Sequence, residues 1–442
     1  MFHKRSEIPP SLAPIRKTGL WLLLSAALAG GAWLTSTSLA RAWHMGDWSD
    51  ASRQWEVCQY VKARINPYEL AFRVLRDTFG PASGPDRVLL RDQRIYSISS
   101  ANWRGAQGIL PGHPPPEATY PPSSMSLLLP TLGFLPKPLL LPAYTTANAL
   151  ILLGLLFLLS GWFRKETRLS WPLSLATAAA LCLLWPPLQH VIQNGQAGLL
   201  AFLCALAAML LLDRSAAAAG VLLMVALIKP SMVLLYAFIP LMRGKWRTLW
   251  TTFFLGVALT FLPSLWLREW PWVLISQWMG LCRYVLQGAF TLQEVFNAIA
   301  WENTWRGTLA VLLLWSAVLA WCGLHRRARW EEQFAFLSLA NLAWTYHERH
   351  DFVLLAFLLV FFAARLARPD RRTGAWIGLG LSLILGLALS DAFYIPAEDW
   401  AQAVRWLGRT ALVGLWGTTA LMVRTSHLER RAIPSPAPAS AA

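Results

Sequence analysis

Apolar residues run through the chain in long stretches separated by short polar segments. "TTANALILLGLLFLLSGWF" and "GTLAVLLLWSAVLAWCGL" are two of many runs close to the length that crosses a bilayer. Such runs predict membrane-spanning helices, because a helix satisfies all of its own backbone groups away from water. The pattern predicts an all-α polytopic membrane protein with about 12 crossings. The first run, Gly19 to Ala40, is too long for the core of a signal peptide and is read as a retained span. Two stretches do not fit a simple crossing. Residues 217–241 carry basic ends that belong on one side, and Lys229-Pro230 predicts a break into two short helices. In 122–163, "PSSMSLLLPTLGFL" predicts a short or re-entrant helix.

Between the first and second apolar runs lies a long polar loop, about residues 41–120. Within it Trp55, Cys58, Val61 and Ile65 recur at helical spacing, with Arg53, Glu56, Gln59 and Lys62 on other faces. That pattern predicts an amphipathic helix lying in the membrane interface. Elsewhere, Lys and Arg gather in short runs such as "RGKWR", "HRRARW" and "RLARPDRR". The positive-inside bias assigns these to the cytoplasm, together with the basic N-terminus. The expected organisation is a cytoplasmic segment 1–18, a membrane domain 19–424 and a disordered cytoplasmic tail 425–442 ending in "AIPSPAPASAA". The outside face then receives the 41–120 loop, "QHVIQNGQ" (189–196), the Trp-rich stretch 268–305, "YHERHD" (346–351) and "SDAFYIPAEDWAQ" (390–402).

Composition supports this class: 56% of residues are hydrophobic and 14% charged, against roughly 25% charged in soluble domains. The net charge of +16 is accounted for by the cytoplasmic runs, which argues against a nucleic-acid partner. Five cysteines show no metal-binding spacing. Cys58 and Cys282 fall in polar loops, where one disulfide is an open option.

Candidate chemistry concentrates on the outside face. Asp47 and Asp50 follow the first span, where a carboxylate can take a proton from an acceptor hydroxyl while a substrate's lipid stays in the bilayer. The competing reading is that Ser49 or Asp50 simply caps the following helix. Lys229 lies far inside an apolar run, which marks it as functional by default and suits a lipid phosphate, unless it snorkels. "YHERHD" packs His347, Glu348, Arg349, His350 and Asp351 between apolar runs. It offers phosphate binding, proton relay, a weak metal site lacking a third ligand, or a self-neutralising loop. Asn66-Pro67-Tyr68, Tyr120-Pro121-Pro122 and Asn194-Gly195-Gln196 are, taken singly, extended or turn segments.

In this order, Asp50, "NPY", "YPP", "GQ" and "IKP" resemble glycosyltransferase 87 family members over roughly residues 45–360. The resemblance implies a GT-C fold with a catalytic aspartate in the first extracytoplasmic loop, matched by Asp50, with Asp47 second. It implies substrate-binding roles for Lys229, His347, Arg349, His350, Asn66, Tyr68, Tyr120 and Gln196. His350-Asp351 before "FVLLAF" is similar to the family's late pair, but the usual preceding Ser-Pro is missing. Ala51-Ser52-Arg53 also replaces the family's common aromatic run after the aspartate. The implied activity is inverting transfer of a sugar, mannose first, from a polyprenyl-phosphate donor to a lipid or glycan acceptor at the inner (plasma) membrane. No cofactor is required by that chemistry; the spacing of Asp47 and Asp50 leaves a divalent ion open. Two other classes share the pattern: a transporter or flippase for a lipid-linked solute, and a non-catalytic envelope-assembly protein.

Overall fold

The computed structural model describes residues 13–44, 49–71, 118, 120–285, 304–342, 349–389 and 398–432; among them are helices and turns and no strand. The chain opens with α1 (Ala13–His44) and α2 (Asp50–Lys62), then α3 (Pro122–Leu128), which runs into a π-helical turn, Leu129–Gly133. The long α4 (Lys137–Thr167) is followed by α5 (Trp171–Leu183), α6 (Pro186–Gln193), α7 (Gly198–Leu211) and α8 (Ala216–Ala226). After short helical pieces over 230–242 come α9 (Trp246–Leu267), α10 (Pro271–Val285), α11 (Thr304–Leu324) and α12 (Trp330–Asn341). A 3-10 segment, Arg349–Leu355, leads into α13 (Ala356–Arg365), and α14 (Arg372–Leu389) packs on α15 (Glu398–Ala432). Helix α15 continues beyond the boundary read at residue 424.

Among the described residues four helices are long and apolar enough to cross a membrane: Trp21–His44, Lys137–Thr167, Trp246–Leu267 and Pro369–Leu389. A fifth arises if α5 and α6, bent by 71°, form one broken span. Among the described residues, helices of full spanning length therefore account for four or five of the expected twelve or so crossings. Several apolar runs are instead short, such as Gly198–Leu211 and Ala216–Ala226. At 1.5 Å per residue these fall short of a hydrocarbon layer of about 30 Å. The expected break at Lys229-Pro230 is present: α8 stops at Ala226 and helix resumes at Pro230, with Lys229 at φ −127° between them. The expected short helix in "PSSMSLLLPTLGFL" is α3 with its π-helical extension.

Helix α2 departs from the expectation of an interfacial surface helix. Nearly every residue from Ala51 to Val61 is buried, polar Gln54 and Glu56 included. Long-range partners absorb its polar side. Trp55 Nε1 donates to Leu135 O at 2.9 Å, Gln59 Nε2 to Gly133 O at 3.1 Å, and Glu56 pairs with Lys137 at 3.5 Å. The helix is thus packed between the π-helical turn and the start of α4. Cys58 is a free thiol within it, pushed up to about 12 by burial.

The basic runs meet at the opposite end of the bundle. Glu166, at the end of α4, accepts hydrogen bonds from Arg329, from Arg365 at 3.0 Å and from Arg368 at 3.0 Å. Arg329 also pairs with Glu331, and Arg365 with Glu332 at 3.6 Å. Arg243 donates to Ala328 O at 2.9 Å, and Lys245 pairs with Asp213 at 2.7 Å. Buried charges are tolerable only when paired and hydrogen-bonded, and here three carboxylates meet three guanidiniums. This network ties the ends of α4, α12 and α13 together, leaving the other end of the bundle to the candidate chemistry.

Candidate active site

Asp50 is the first residue of α2, and Ser49 is its cap: the Ser49 hydroxyl accepts from Ser52 N at 3.2 Å. Ser49 therefore takes the capping role that would make Asp50 purely structural, while the helix N-terminus favours a negative charge at Asp50. The Asp50 carboxylate is partly exposed and stands 3.9 Å from Arg53.

The turn after α6 is the hub of the site. The Asp50 N–H donates to Asn194 O at 2.8 Å, and Gln196 Oε1 accepts from Lys229 Nζ at 2.7 Å. The Ala197 backbone also lies within reach of the Tyr120 phenol and acts on it. Gly195 makes this convergence feasible. Its φ is +61°, and a Cβ there would lie 3.3 Å from Ala51 Cβ and 3.6 Å from Ser49 Cβ. Gly195→Ala combines a left-handed backbone with that close approach, so it is expected to cost about 1–3 kcal/mol. Thermal unfolding of the purified variant checks this, and an unshifted midpoint would remove the turn as a fixed hub.

Lys229 sits in the break after α8, held from several sides. Leu235 N donates to Asn341 Oδ1 at 3.0 Å, and the Tyr236 hydroxyl meets Ser338 Oγ at 2.7 Å. Met232 Sδ lies 3.3 Å from where a Cβ on Gly198 would stand, so the break packs on the start of α7. Lys229 Nζ reaches Asp351 Oδ1 at 2.5 Å, and His350 Nε2 lies 3.3 Å from the same oxygen. The 3-10 segment carrying His350 and Asp351 is fixed by Trp185, whose Nε1 donates to Phe352 O at 2.9 Å. His350 and Asp351 are both buried.

"NPY" and "YPP" are joined to each other. Asn66 Oδ1 accepts from Tyr68 N at 3.0 Å and from Glu69 N at 3.2 Å, capping the turn of helix that begins at residue 67. Asn66 Nδ2 donates to Gln277 at 2.9 Å, and the Tyr68 hydroxyl donates to Tyr120 O at 2.9 Å. The side chains of Asn66 and Tyr68 therefore hold the main chain that presents Tyr120. The Tyr120 phenol stands well above its ordinary range, chiefly through burial and next through the Asp50 carboxylate. Tyr144 and Asp351 also act on it, and the Asp50 charge reaches Tyr144 as well. Lys229, His350 and Asp351 are thus joined to Asp50 through the 194–197 turn, with the Tyr120 and Tyr144 phenols within reach of the Asp50 charge.

Of the residues expected from sequence, Asp50, Tyr120, Gln196, Lys229 and His350 come together in this cluster. Asp47 and His347 lie outside the described residues, as does the side chain of Arg349. Asp351 and Tyr144 are not among the site residues expected from sequence. Asp351 stands in the sequence as the second member of the His350-Asp351 pair, but nothing local in sequence pairs it with Lys229. Tyr144 sits in an apolar run with no motif around it.

The family model described as glycosyltransferase family 87 matches residues 118–346, just over half of the chain. No curated protein and no solved structure matches it.

Proposed function

The chain belongs to glycosyltransferase family 87, and on that premise we propose that it moves mannose from a polyprenyl-phosphate donor to a lipid or glycan acceptor with inversion. Family membership favours sugar transfer over the transporter and scaffold readings. What carries the finer reading is the 194–197 turn, which bonds to Asp50 and to Lys229, with Tyr120 nearby, and so links a carboxylate to a buried cation.

In this mechanism the acceptor hydroxyl gives its proton to the Asp50 carboxylate as its oxygen attacks the anomeric carbon. The carbon–oxygen bond to phosphate breaks, and polyprenyl phosphate leaves with the electron pair. Single displacement from the opposite face inverts the anomeric centre. An ammonium has three N–H donors; Lys229 directs one at Gln196 and pairs its charge with Asp351, 2.5 Å away. A remaining donor serves the leaving phosphate, with His350 beside it, where preorganised charge stabilises the anion as it develops. Arg349, on the same segment, is a second candidate for the phosphate. A monophosphate leaving group makes this displacement feasible without a metal.

We assign the site to the extracytoplasmic side of the plasma membrane. The gathering of basic runs at the other end of the bundle supports that side under the positive-inside rule.

The purified protein, given polyprenyl-phosphate mannose and acceptor lipid, is expected to release polyprenyl phosphate and to form an inverted linkage, in excess chelator as well as without it. Failure to turn over any polyprenyl-phosphate sugar would reject the donor class. A retained configuration would reject single displacement, and loss of activity in chelator would reject the metal-free step.

A further inference from the structure

Helix α4 buries one stripe of residues, which includes Leu140, Asn148, Leu152, Leu155 and Leu159. Tyr144 lies on the same side of the helix, midway between Leu140 and Asn148. Asn148 is one helical turn further along, 3% exposed, and its Nδ2 has no hydrogen-bond partner. An unpaired amide donor inside a membrane-spanning helix costs roughly 1–3 kcal/mol, which an oxygen acceptor would relieve.

Its depth can be fixed against the neighbouring helix. Helices α4 and α7 both run from the site end towards the basic end, and a Cβ on Gly154 would lie 3.6 Å from Leu203. Asn148 precedes Gly154 by the same number of residues as Ala197 precedes Leu203. At 1.5 Å per residue both stand about 9 Å towards the site end from that contact. Asn148 is therefore level with the 194–197 turn and with Gln196, the partner of Lys229.

We propose that the Asn148 carboxamide donates a hydrogen bond to an oxygen of the lipid-borne sugar donor, a phosphate oxygen or a sugar hydroxyl. This assignment rests on the polyprenyl-phosphate reading above and adds a positioning residue to it. Lys229 shares its charge with Asp351, so a further neutral donor at the same depth helps seat the oxygen-rich head group. The bound head group supplies the acceptor that the protein itself does not offer this amide.

The test separates this role from a structural one. Asn148→Leu removes the unsatisfied amide, so the full-length purified variant should melt at the same temperature as wild type or higher. Its affinity for polyprenyl-phosphate mannose should weaken about tenfold, as expected for one lost hydrogen bond. Bare polyprenyl phosphate is the second probe. Equal weakening for both lipids assigns the bond to a phosphate oxygen, and weakening for the sugar-bearing lipid alone assigns it to a sugar hydroxyl. Wild-type affinity of Asn148→Leu for both lipids, or a lower melting temperature, overturns the assignment while leaving the donor class intact. Wild-type protein that binds neither lipid overturns the donor class and this assignment with it.

Discussion

Asp50→Asn is expected to lower sugar transfer by roughly 10²–10⁴-fold, the range supplied by a positioned general base, while leaving thermal stability unchanged. The substitution keeps the size and most of the shape of the side chain but removes the site that accepts the proton. The helix depends on it little, losing only the weak attraction between that charge and its N-terminus: Ser49 is the cap, and the Asp50 backbone N–H bonds to Asn194 whichever side chain is present. The ion pair with Arg53, at 3.9 Å, disappears in this variant, and a partly exposed pair of that kind is worth a fraction of a kcal/mol. The nearby Tyr120 does not substitute as a base. Its phenol, lifted by burial and by Asp50, keeps its proton throughout the working pH range, and removing the carboxylate removes only one of those causes. Initial rates with polyprenyl-phosphate sugar, read beside melting temperature, check the prediction. Transfer within a few-fold of wild type would remove Asp50 as the base, and a larger loss in Asp47→Asn would move that role to Asp47.

How far these features can be read from sequence depends on the range of the forces that create them. The break at Lys229-Pro230 is legible because proline acts locally on the helix that contains it. The same holds for Ser49 as a cap and for the short helix after Tyr120. Helix α2 looks like a surface helix in sequence because its Glu56 and Gln59 are satisfied by Lys137 and Gly133, partners that no periodicity within 50–62 can reveal. Asn66 and Tyr68 look like substrate ligands. The capping of the next turn by Asn66 is a local habit of that residue, whereas the bond from Tyr68 to Tyr120 crosses an entire loop. Asn194-Gly195-Gln196 reads as a turn. Its role as a hub emerges only when α2, Tyr120 and the Lys229 break converge on it. Asp351 is legible as half of the His350-Asp351 pair, but its burial against Lys229 is not, since a run of His, Glu, Arg, His and Asp suggests solvent.

That ion pair gives the second large effect. Lys229 and Asp351 are 13% and 3% exposed, so removing either partner alone leaves a buried charge without compensation. Lys229→Met and Asp351→Leu are each expected to destabilise the protein by about 3–5 kcal/mol, because the surviving ion has already given up its water. The double variant Lys229→Met/Asp351→Leu is expected to recover most of that loss, since an apolar pair of similar bulk replaces both charges at once. Activity should not follow stability. Both Lys229→Met and the double variant lack the cation that meets the leaving phosphate, so transfer should fall at least a hundredfold in each, the scale of one missing electrostatic donor at a developing anion. Melting temperatures and initial rates for the four proteins of this cycle separate the two roles. If the double variant regained transfer along with stability, the pair would be a structural clamp, and the phosphate would have to be met by His350 or Arg349 instead.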